Sequence, residues 1–211
     1  MFKRLDFGKF TVRLNNRKVL NGFFDSLGLG ENVTDILRII DKIDKIGSEK
    51  VLAELGELGV TSEAAEKILS FITAEGSTDD KLAYLKGLDI DNPAFKEGVS
   101  ELEQTAENMR MFAIEEDYFT IDLTIARGLD YYTGTVYETV LDDYRSLGSI
   151  CSGGRYDDLT GYYTNRKMPG IGISIGLTRL FSQLKEAGII KAECGSIARV
   201  LVAPMDCNMS Y

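Results

Sequence analysis

The sequence predicts an α+β fold in which a mostly antiparallel sheet is flanked by helices and carries an all-helical insertion. Two observations support this prediction. Apolar residues recur at helical spacing from residue 32 to about residue 114. Before and after that segment they alternate in short runs that are rich in β-branched and aromatic residues, as is typical of strands.

A strand followed by a helix opens the chain. Residues 10–15 alternate between apolar and polar side chains, which predicts the strand. Apolar side chains then recur at helical spacing from Val19 to Leu27, and Gly28 ends the pattern.

The helical insertion carries signals for the starts of individual helices. Ser48 and Thr61 are expected N-caps, because each is followed closely by a glutamate that favours the positive end of a helix. Pro93 suits the first turn of a helix, where its missing N–H costs nothing.

Strand-like runs return after residue 117. They cover residues 118–125, 135–141, 149–151 and 170–175, and a helix is predicted from Leu177 to about Ala187. Residues 198–204 form a further apolar run, typical of the first strand of an α/β unit that is buried on both faces. We therefore expect four segments: a strand and helix over 1–31, the helical insertion over 32–116, the main part of the sheet over 117–190, and a linker with the first strand of a truncated domain over 191–211.

Composition restricts the classes of function. The 211 residues contain no apolar run of membrane-spanning length and no secretory signal at the N-terminus, so we expect a cytoplasmic protein. Three cysteines without C-x-x-C spacing favour neither a disulfide framework nor a zinc site. The absence of histidine excludes Ser-His-Asp and Cys-His catalysis within these residues. A net charge of -9 argues against a broad nucleic-acid-binding face here, so any RNA partner would be held mostly elsewhere.

The densest cluster of polar and aromatic residues lies between two predicted strands, at residues 127–138. Arg127 supplies a permanent cation, Tyr131, Tyr132 and Tyr137 supply three phenols, and Asp130 and Glu138 supply two carboxylates. Connections between strands hold ligands on a rigid frame, so this cluster predicts a binding site.

Two glycine-rich runs form further candidate clusters. Gly153 and Gly154 follow a predicted strand, where a missing Cβ lets a ligand approach the backbone, and the alternative is a tight turn before a helix. Residues 169–180 place small residues at alternate positions of a strand, which would clear space for a flat ligand, and lead into a helix with Arg179 in its first turn. The helix start and the guanidinium would both favour phosphate, and the alternative is close packing against another backbone.

Together, the three clusters resemble the histidyl-tRNA synthetases, a family of class II aminoacyl-tRNA synthetases. Residues 127–138 are similar to the family's histidine-binding signature, and residues 169–180 resemble its motif 3, which binds ATP. Residues 14–20 look like the strand-to-helix passage ahead of the family's helical insertion. The resemblance covers nearly the whole chain and implies that the sheet is part of a class II synthetase sheet.

This resemblance implies roles for individual residues. Arg127 matches the catalytic arginine, expected at the substrate carboxylate and the α-phosphate. Tyr131 and Tyr132 match the tyrosines of the histidine pocket, with Tyr132 expected at the imidazole. Because neighbours on an extended segment face opposite ways, we expect Tyr131 to lie partly in the core. Glu138 could order the loop that carries the two tyrosines or reach the ligand, and we expect the first of these roles.

The resemblance also assigns the glycine-rich clusters. Gly153, Gly154 and Tyr156 match the loop that lines the histidine, where Arg155 and Asp157 are expected to pair with each other. Gly176 and Arg179 match the ATP site, although Thr178 stands where the family commonly has an acidic residue. No metal site is expected within these residues, and Mg²⁺ would accompany ATP through its phosphates and carboxylates upstream.

The activity implied is that of a histidine–tRNA ligase, with histidine, ATP and tRNA(His) as partners and a homodimer as its assembly. Motifs 1 and 2 of the family would precede residue 1, so we expect the chain to be the C-terminal half of a catalytic domain and inactive alone. The alternative is a synthetase-like regulatory subunit of the histidine-biosynthetic ATP phosphoribosyltransferase, which keeps the fold without aminoacylation.

Overall fold

The structure, a computed structural model, describes residues 2–126, 131–157, 161, 163–166, 168–191 and 200. The chain forms two compact units, Met1–Gly176 and Leu177–Tyr211. In chain order the helices and strands are α1 (Phe2–Leu5), β1 (Phe10–Asn16), α2 (Arg17–Ser26), α3 (Val33–Ile40), α4 (Ile43–Ile46), α5 (Ser48–Glu57), α6 (Ser62–Ile72), α7 (Thr78–Gly87), α8 (Pro93–Met111), β2 (Phe119–Ile121), β3 (Thr135–Leu141), β4 (Ser149–Tyr156), β5 (Gly170–Ile175) and α9 (Leu177–Glu186).

Within the described residues of the first unit, five strands form one sheet in the order β2-β1-β3-β4-β5. The pairs β1–β3, β3–β4 and β4–β5 are antiparallel, which confirms the predicted fold class. β2 pairs with β1 in parallel. Parallel strands need a long crossover, and helices α2 to α8 supply it between these two strands.

The two faces of the sheet differ in character because side chains alternate along each strand. Leu14, Phe119 and Ile121 point to one face and are at most 3% exposed, in a core shared with the helices. We call this the helix face, and α2 and α8 both contact β1. The opposite face, which carries Arg13 and Glu138 in register, is called the polar face.

Helix starts follow local capping. Asn16 caps α2 by accepting a hydrogen bond from a backbone N–H, Thr61 caps α6 as predicted, and Pro93 occupies the first turn of α8 as predicted. The prediction that Ser48 is an N-cap is wrong. Ser48 is already the first residue of α5, and Gly47, which has a φ of 79°, makes the turn that precedes it.

The predicted strand over residues 118–125 is shorter than expected, since β2 ends at Ile121. The carboxylate of Asp122 accepts hydrogen bonds from both the backbone N–H and the hydroxyl of Thr124, which turns the chain. Leu123 and Ile125 are nevertheless buried, so the alternating pattern reports burial in a turn rather than a strand.

The helices between β1 and β2 share one apolar core with the sheet, which reaches from Leu14 through Phe71 and Leu102 to Leu123. The division at residues 32, 117 and 191 stays a prediction. The predicted strand over 198–204 lies outside the described residues except for Val200. Among the described helices, none is long and apolar enough to cross a membrane.

Candidate functional site

The glycine pair of the predicted pocket lies inside a strand. We expected Gly153 and Gly154 in a loop after a strand of three residues, and this is wrong, because β4 continues to Tyr156 and pairs with β3 and β5 along its length. The two glycines face opposite sides of the sheet. On each side, an aromatic ring occupies the place where a Cβ would stand.

On the polar face, the ring of Tyr132 covers Gly154. A Cβ at Gly154 would lie 2.8–2.9 Å from three ring atoms of Tyr132, closer than carbon atoms normally approach. The ring is also tilted against that of Tyr131, with centroids 4.4 Å apart and planes at 60°. The sheet therefore holds Tyr132 by direct contact with backbone, which restricts where its hydroxyl can lie.

The phenol of Tyr132 stays neutral at physiological pH. Burial raises the pKa of Tyr132 to about 12, and the neighbouring Tyr131, Tyr137 and Tyr156 contribute in the same direction. A neutral phenol both donates and accepts one hydrogen bond, which suits a nitrogen of an uncharged heterocycle.

Tyr131 does not lie in the core. The residue is 52% exposed, so the expectation of a partly buried ring is wrong. The residue stands in a turn, where the alternation of an extended segment does not apply, and its ring packs beside that of Tyr132 instead. Tyr131 is thus an exposed neighbour of Tyr132.

On the helix face, Tyr137 covers Gly153. A Cβ at Gly153 would meet the Tyr137 ring at 2.7 Å and would also collide with the carbonyl oxygen of Gly172. The Tyr137 hydroxyl donates a hydrogen bond of 2.5 Å to that carbonyl, and burial raises the pKa of Tyr137. The sequence analysis placed Tyr137 in the cluster but gave it no role of its own, although an aromatic residue directly opposite a glycine in neighbouring strands is a recognisable signal.

The small residues of β5 accommodate a ring of the chain itself. Tyr156 stands opposite Gly170 across the β4–β5 pair, and its ring lies against Gly170 and Gly172. A Cβ at Gly172 would lie 3.2 Å from this ring. The space that we expected for a flat ligand is therefore partly filled by Tyr156, which becomes part of the polar face of the site.

A hydrogen-bonded link fixes the segment after the tyrosines to the end of β4. The Thr133 backbone N–H donates to the Arg155 carbonyl at 2.9 Å, and the Thr133 hydroxyl donates to Asp157 at 2.7 Å. Arg155 pairs with Asp157 at 3.1 Å, which confirms the expected pairing. The Thr133 hydroxyl, followed by Arg155, holds the pKa of Asp157 below its usual value.

Asn15 holds the segment that leads to Arg127, and sequence reasoning missed it. Asn15 is fully buried, and its side-chain amide donates to the carbonyls of Leu123 and Ile125, at 3.3 and 2.9 Å. A buried amide at an interior strand position is a signal of such a bond, because it must find partners. Residues 123–126 are thereby fastened across the polar face of β1.

The remaining predicted residues are less closely described. Arg127 lies outside the described residues. Gly176 follows β5, and its N–H donates to the Ile150 carbonyl at 3.4 Å. Arg179 lies in the first turn of α9, as predicted, within the second unit. Glu138 is 8% exposed and stands between Arg13 and Ser152 in the strand register.

Among the described residues, no group of three or more cysteine or carboxylate side chains is arranged to hold a metal ion. Cys151 is a buried free thiol whose pKa is raised by burial. It acts as an apolar filler of the sheet.

Comparison with known proteins identifies close relatives of the chain. Residues 1–180 match the model of a family described as histidyl-tRNA synthetase. The histidine–tRNA ligase of Clostridium tetani is 54% identical over 211 residues, which are 100% of this chain and 48% of that protein. That of Nostoc punctiforme is 48% identical over 209 residues, or 97% of this chain and 44% of that protein. The chain thus spans about half the length of these relatives.

Solved structures agree with the sequence relatives. The crystal structure of histidyl-tRNA synthetase from Nostoc sp. PCC 7120 has a TM-score of 0.88 and 49% identity, over 90% of this chain and 45% of that chain. A structure described as an ATP phosphoribosyltransferase regulatory subunit/histidyl-tRNA synthetase from Bacillus halodurans has a TM-score of 0.70 at 22% identity, over 87% of this chain and 46% of that chain. The second likeness shows the fold alone.

Proposed function

The chain belongs to the histidyl-tRNA synthetase family, and from this premise we propose that it supplies the histidine-binding part of a histidine–tRNA ligase. The observation that carries the proposal is the neutral phenol of Tyr132, held against the backbone of Gly154 on the polar face. The reaction joins histidine to ATP, giving histidyl-adenylate and pyrophosphate, and then transfers the histidyl group to the terminal ribose of tRNA(His).

In this proposal Tyr132 recognises the imidazole of histidine. Its hydroxyl would hydrogen-bond a ring nitrogen, while Tyr131 and Tyr156 enclose the ring from neighbouring positions. A site built around such a bond rejects amino acids that leave it unmade, because a buried polar group without its partner is costly. Gly154 would leave room for the Tyr132 ring on the polar face, and Gly153 would leave room for Tyr137 on the opposite face of the strand.

Adenylate formation needs positioning and charge neutralisation rather than a protein base. The histidine carboxylate attacks the α-phosphate in line and pyrophosphate leaves, so no proton has to be removed. Arg127 would bind the carboxylate and the α-phosphate, since a guanidinium stays charged and forms paired bonds to either group. This role rests on its match to the family signature.

Gly176 and Arg179 would bind ATP, with Arg179 at the terminal phosphates. Mg²⁺ would be bound chiefly by those phosphates, because the described residues provide no acidic cluster for it. When bound, Mg²⁺ would offset part of the negative charge of the ATP phosphates. We further propose that tRNA(His) is the acyl acceptor, that the ligase is a homodimer, and that it acts in the cytoplasm.

Histidine-dependent exchange of pyrophosphate into ATP tests the proposal. The full-length polypeptide that contains these 211 residues, here called the parent, is expected to catalyse exchange, whereas the 211-residue chain alone is not. Arg127→Ala in the parent is expected to abolish exchange. A parent without exchange activity would exclude the ligase and favour the regulatory subunit of the ATP phosphoribosyltransferase.

A further inference from the structure

We propose that Glu101, on helix α8, is a positioning residue for histidine binding. It acts on residues 131–134, here called the tyrosine segment, and through them on Tyr132. The inference rests on the proposed function for its effect on histidine, and on contacts within the first unit for the positioning itself.

The carboxylate of Glu101 fastens α8 to the junction of β1 and α2. One oxygen accepts a hydrogen bond of 2.7 Å from the side-chain amide of Asn16, and the other accepts one of 2.6 Å from the ammonium of Lys18. Asn16 is fully buried, and the side chains of Lys18 and Glu101 are only 22% and 26% exposed. Charge-assisted bonds in such a partly buried place are stronger and less screened than those of an exposed ion pair.

The same junction holds one end of the tyrosine segment. The Arg17 backbone N–H donates to the Gly134 carbonyl at 3.0 Å, and the Asn16 amide that binds Glu101 also reaches the Thr135 hydroxyl at 3.4 Å. A change in the position of Asn16 therefore moves the backbone that follows Tyr132 and Thr133.

Glu101 also lies directly beside the tyrosine segment. A Cβ at Gly134 would be 3.4 Å from a Glu101 oxygen and 3.0 Å from the Arg155 side chain, so both side chains pack over this glycine. The backbone carbonyl of Arg155 in turn accepts a hydrogen bond from the backbone N–H of Thr133. The tyrosine segment is thus clamped between the contacts of Glu101 on one side and the end of β4 on the other.

The contacts of Glu101 with Asn16, Lys18 and Gly134, here called the clamp, need a carboxylate at position 101. A carboxylate can serve Asn16 and Lys18 with separate oxygens, whereas an amide offers only one acceptor. Loss of the carboxylate would free Gly134 on one side and let Tyr132 leave the position in which it covers Gly154. The effect should fall on histidine binding and leave ATP binding unchanged.

Glu97 offers a matched control. It lies one helical turn before Glu101 on α8 and also pairs with Lys18, at 2.8 Å, but its side chain is 62% exposed. A Cβ at Gly134 would have Glu101 and Arg155 as its nearest neighbours, without Glu97. Glu97→Ala therefore removes an acidic partner of Lys18 without disturbing the clamp.

Amide hydrogen exchange of the 211-residue chain tests the positioning without any activity. Glu101→Ala is expected to speed exchange at Arg17 and Thr133 by about tenfold, the effect of losing about 1.4 kcal/mol of local stability. Glu97→Ala should leave both rates unchanged. Glu101→Gln, which keeps the volume and one acceptor, should fall between them, and it serves as the test variant if the alanine variant folds poorly.

Kinetics of the parent test the consequence for histidine. Glu101→Ala is expected to raise the histidine KM in pyrophosphate exchange by about tenfold while the ATP KM and kcat stay within about twofold. Equal behaviour of the Glu101 and Glu97 variants in both experiments would overturn the inference, as would equal losses for histidine and ATP. A wild-type parent without exchange would instead refute the proposed ligase, and the hydrogen-exchange result would still decide the clamp.

Discussion

Gly154→Ala gives the sharpest test of how the sheet shapes the pocket. The new Cβ would stand 2.8–2.9 Å from three atoms of the Tyr132 ring. Carbon atoms in contact are normally about 3.5–4.0 Å apart, so the ring must retreat by roughly 0.6–1.2 Å. The ring can move because it belongs to a side chain, whereas the strand cannot move without losing its pairing with β3 and β5.

The substitution should lower both the stability of the fold and the efficiency of the reaction with histidine. Overpacking costs about 1–3 kcal/mol. Alanine recovers about 0.5–1 kcal/mol relative to glycine in a strand, which leaves a net loss of about 0–2.5 kcal/mol. A displacement of about 1 Å at a reacting centre can reduce rates by about a hundredfold, so we expect kcat/KM for histidine to fall about 10- to 100-fold in the parent.

Pyrophosphate exchange at varied histidine concentration and urea unfolding measure these two effects. Gly56→Ala is the control, because Gly56 lies exposed in α5 and its Cβ would meet nothing within 4 Å. That substitution should stabilise the chain by about 0.5–1 kcal/mol and leave the histidine KM unchanged. A folded Gly154→Ala parent with normal kcat/KM for histidine would refute the argument that Gly154 positions Tyr132.

Three further substitutions test separate parts of the site. Tyr132→Phe should raise the histidine KM of the parent, and an unchanged KM would argue against the imidazole contact. The substitution should also remove one late-ionising phenol from an absorbance titration, because the raised pKa means that Tyr132 supports stability below pH 10 and loses that support as the pH rises from 10 to about 12. Asp157→Asn should reduce the acid sensitivity of unfolding, because the Thr133 hydroxyl lowers the pKa of Asp157. The Asp157 carboxylate therefore contributes to stability above pH 3.8, and this contribution is lost as the pH falls through the lowered pKa. Urea midpoints at pH 7 and 3 that shift as in wild type would contradict this. Gly153→Ala should destabilise the chain more than a change at the other glycine, since its Cβ meets the backbone carbonyl of Gly172 and a carbonyl cannot rotate away, and a normal urea midpoint would show that the strands tolerate the side chain.

The sequence predicts best those elements whose pattern is local. The bounds of β3 and β5 agree with their β-branched and aromatic runs, and the helix starts at Thr61 and Pro93 agree with their capping residues. β4 was predicted too short because a glycine pair normally signals a turn. Gly153 and Gly154 continue β4 because the rings of Tyr137 and Tyr132 cover them, and those rings come from a neighbouring strand and from the segment before it.

The site residues divide in the same way, into those set by local sequence and those set by contacts that are distant in the chain. The order of the clusters around Tyr132 and Gly154 is visible in the sequence, so their membership of one site could be predicted. The amide of Asn15 inside a strand signals only that it must find a partner, and Glu101 carries no such signal, because their bonds join residues 110 and 85 positions apart in the chain. Such bonds arise only after the helices of the crossover have returned the chain to the sheet.

The glycine pair of β4 has a thermodynamic consequence. Tyr137, part of the packing around the core, and Tyr132, in the proposed pocket, touch opposite sides of two consecutive residues, so a single peptide layer separates them. A ligand that binds the folded protein at Tyr132 would stabilise the fold as a whole by mass action. Because such coupling is reciprocal, a core substitution that shifts Tyr137 and with it Tyr132 would lower the affinity for that ligand.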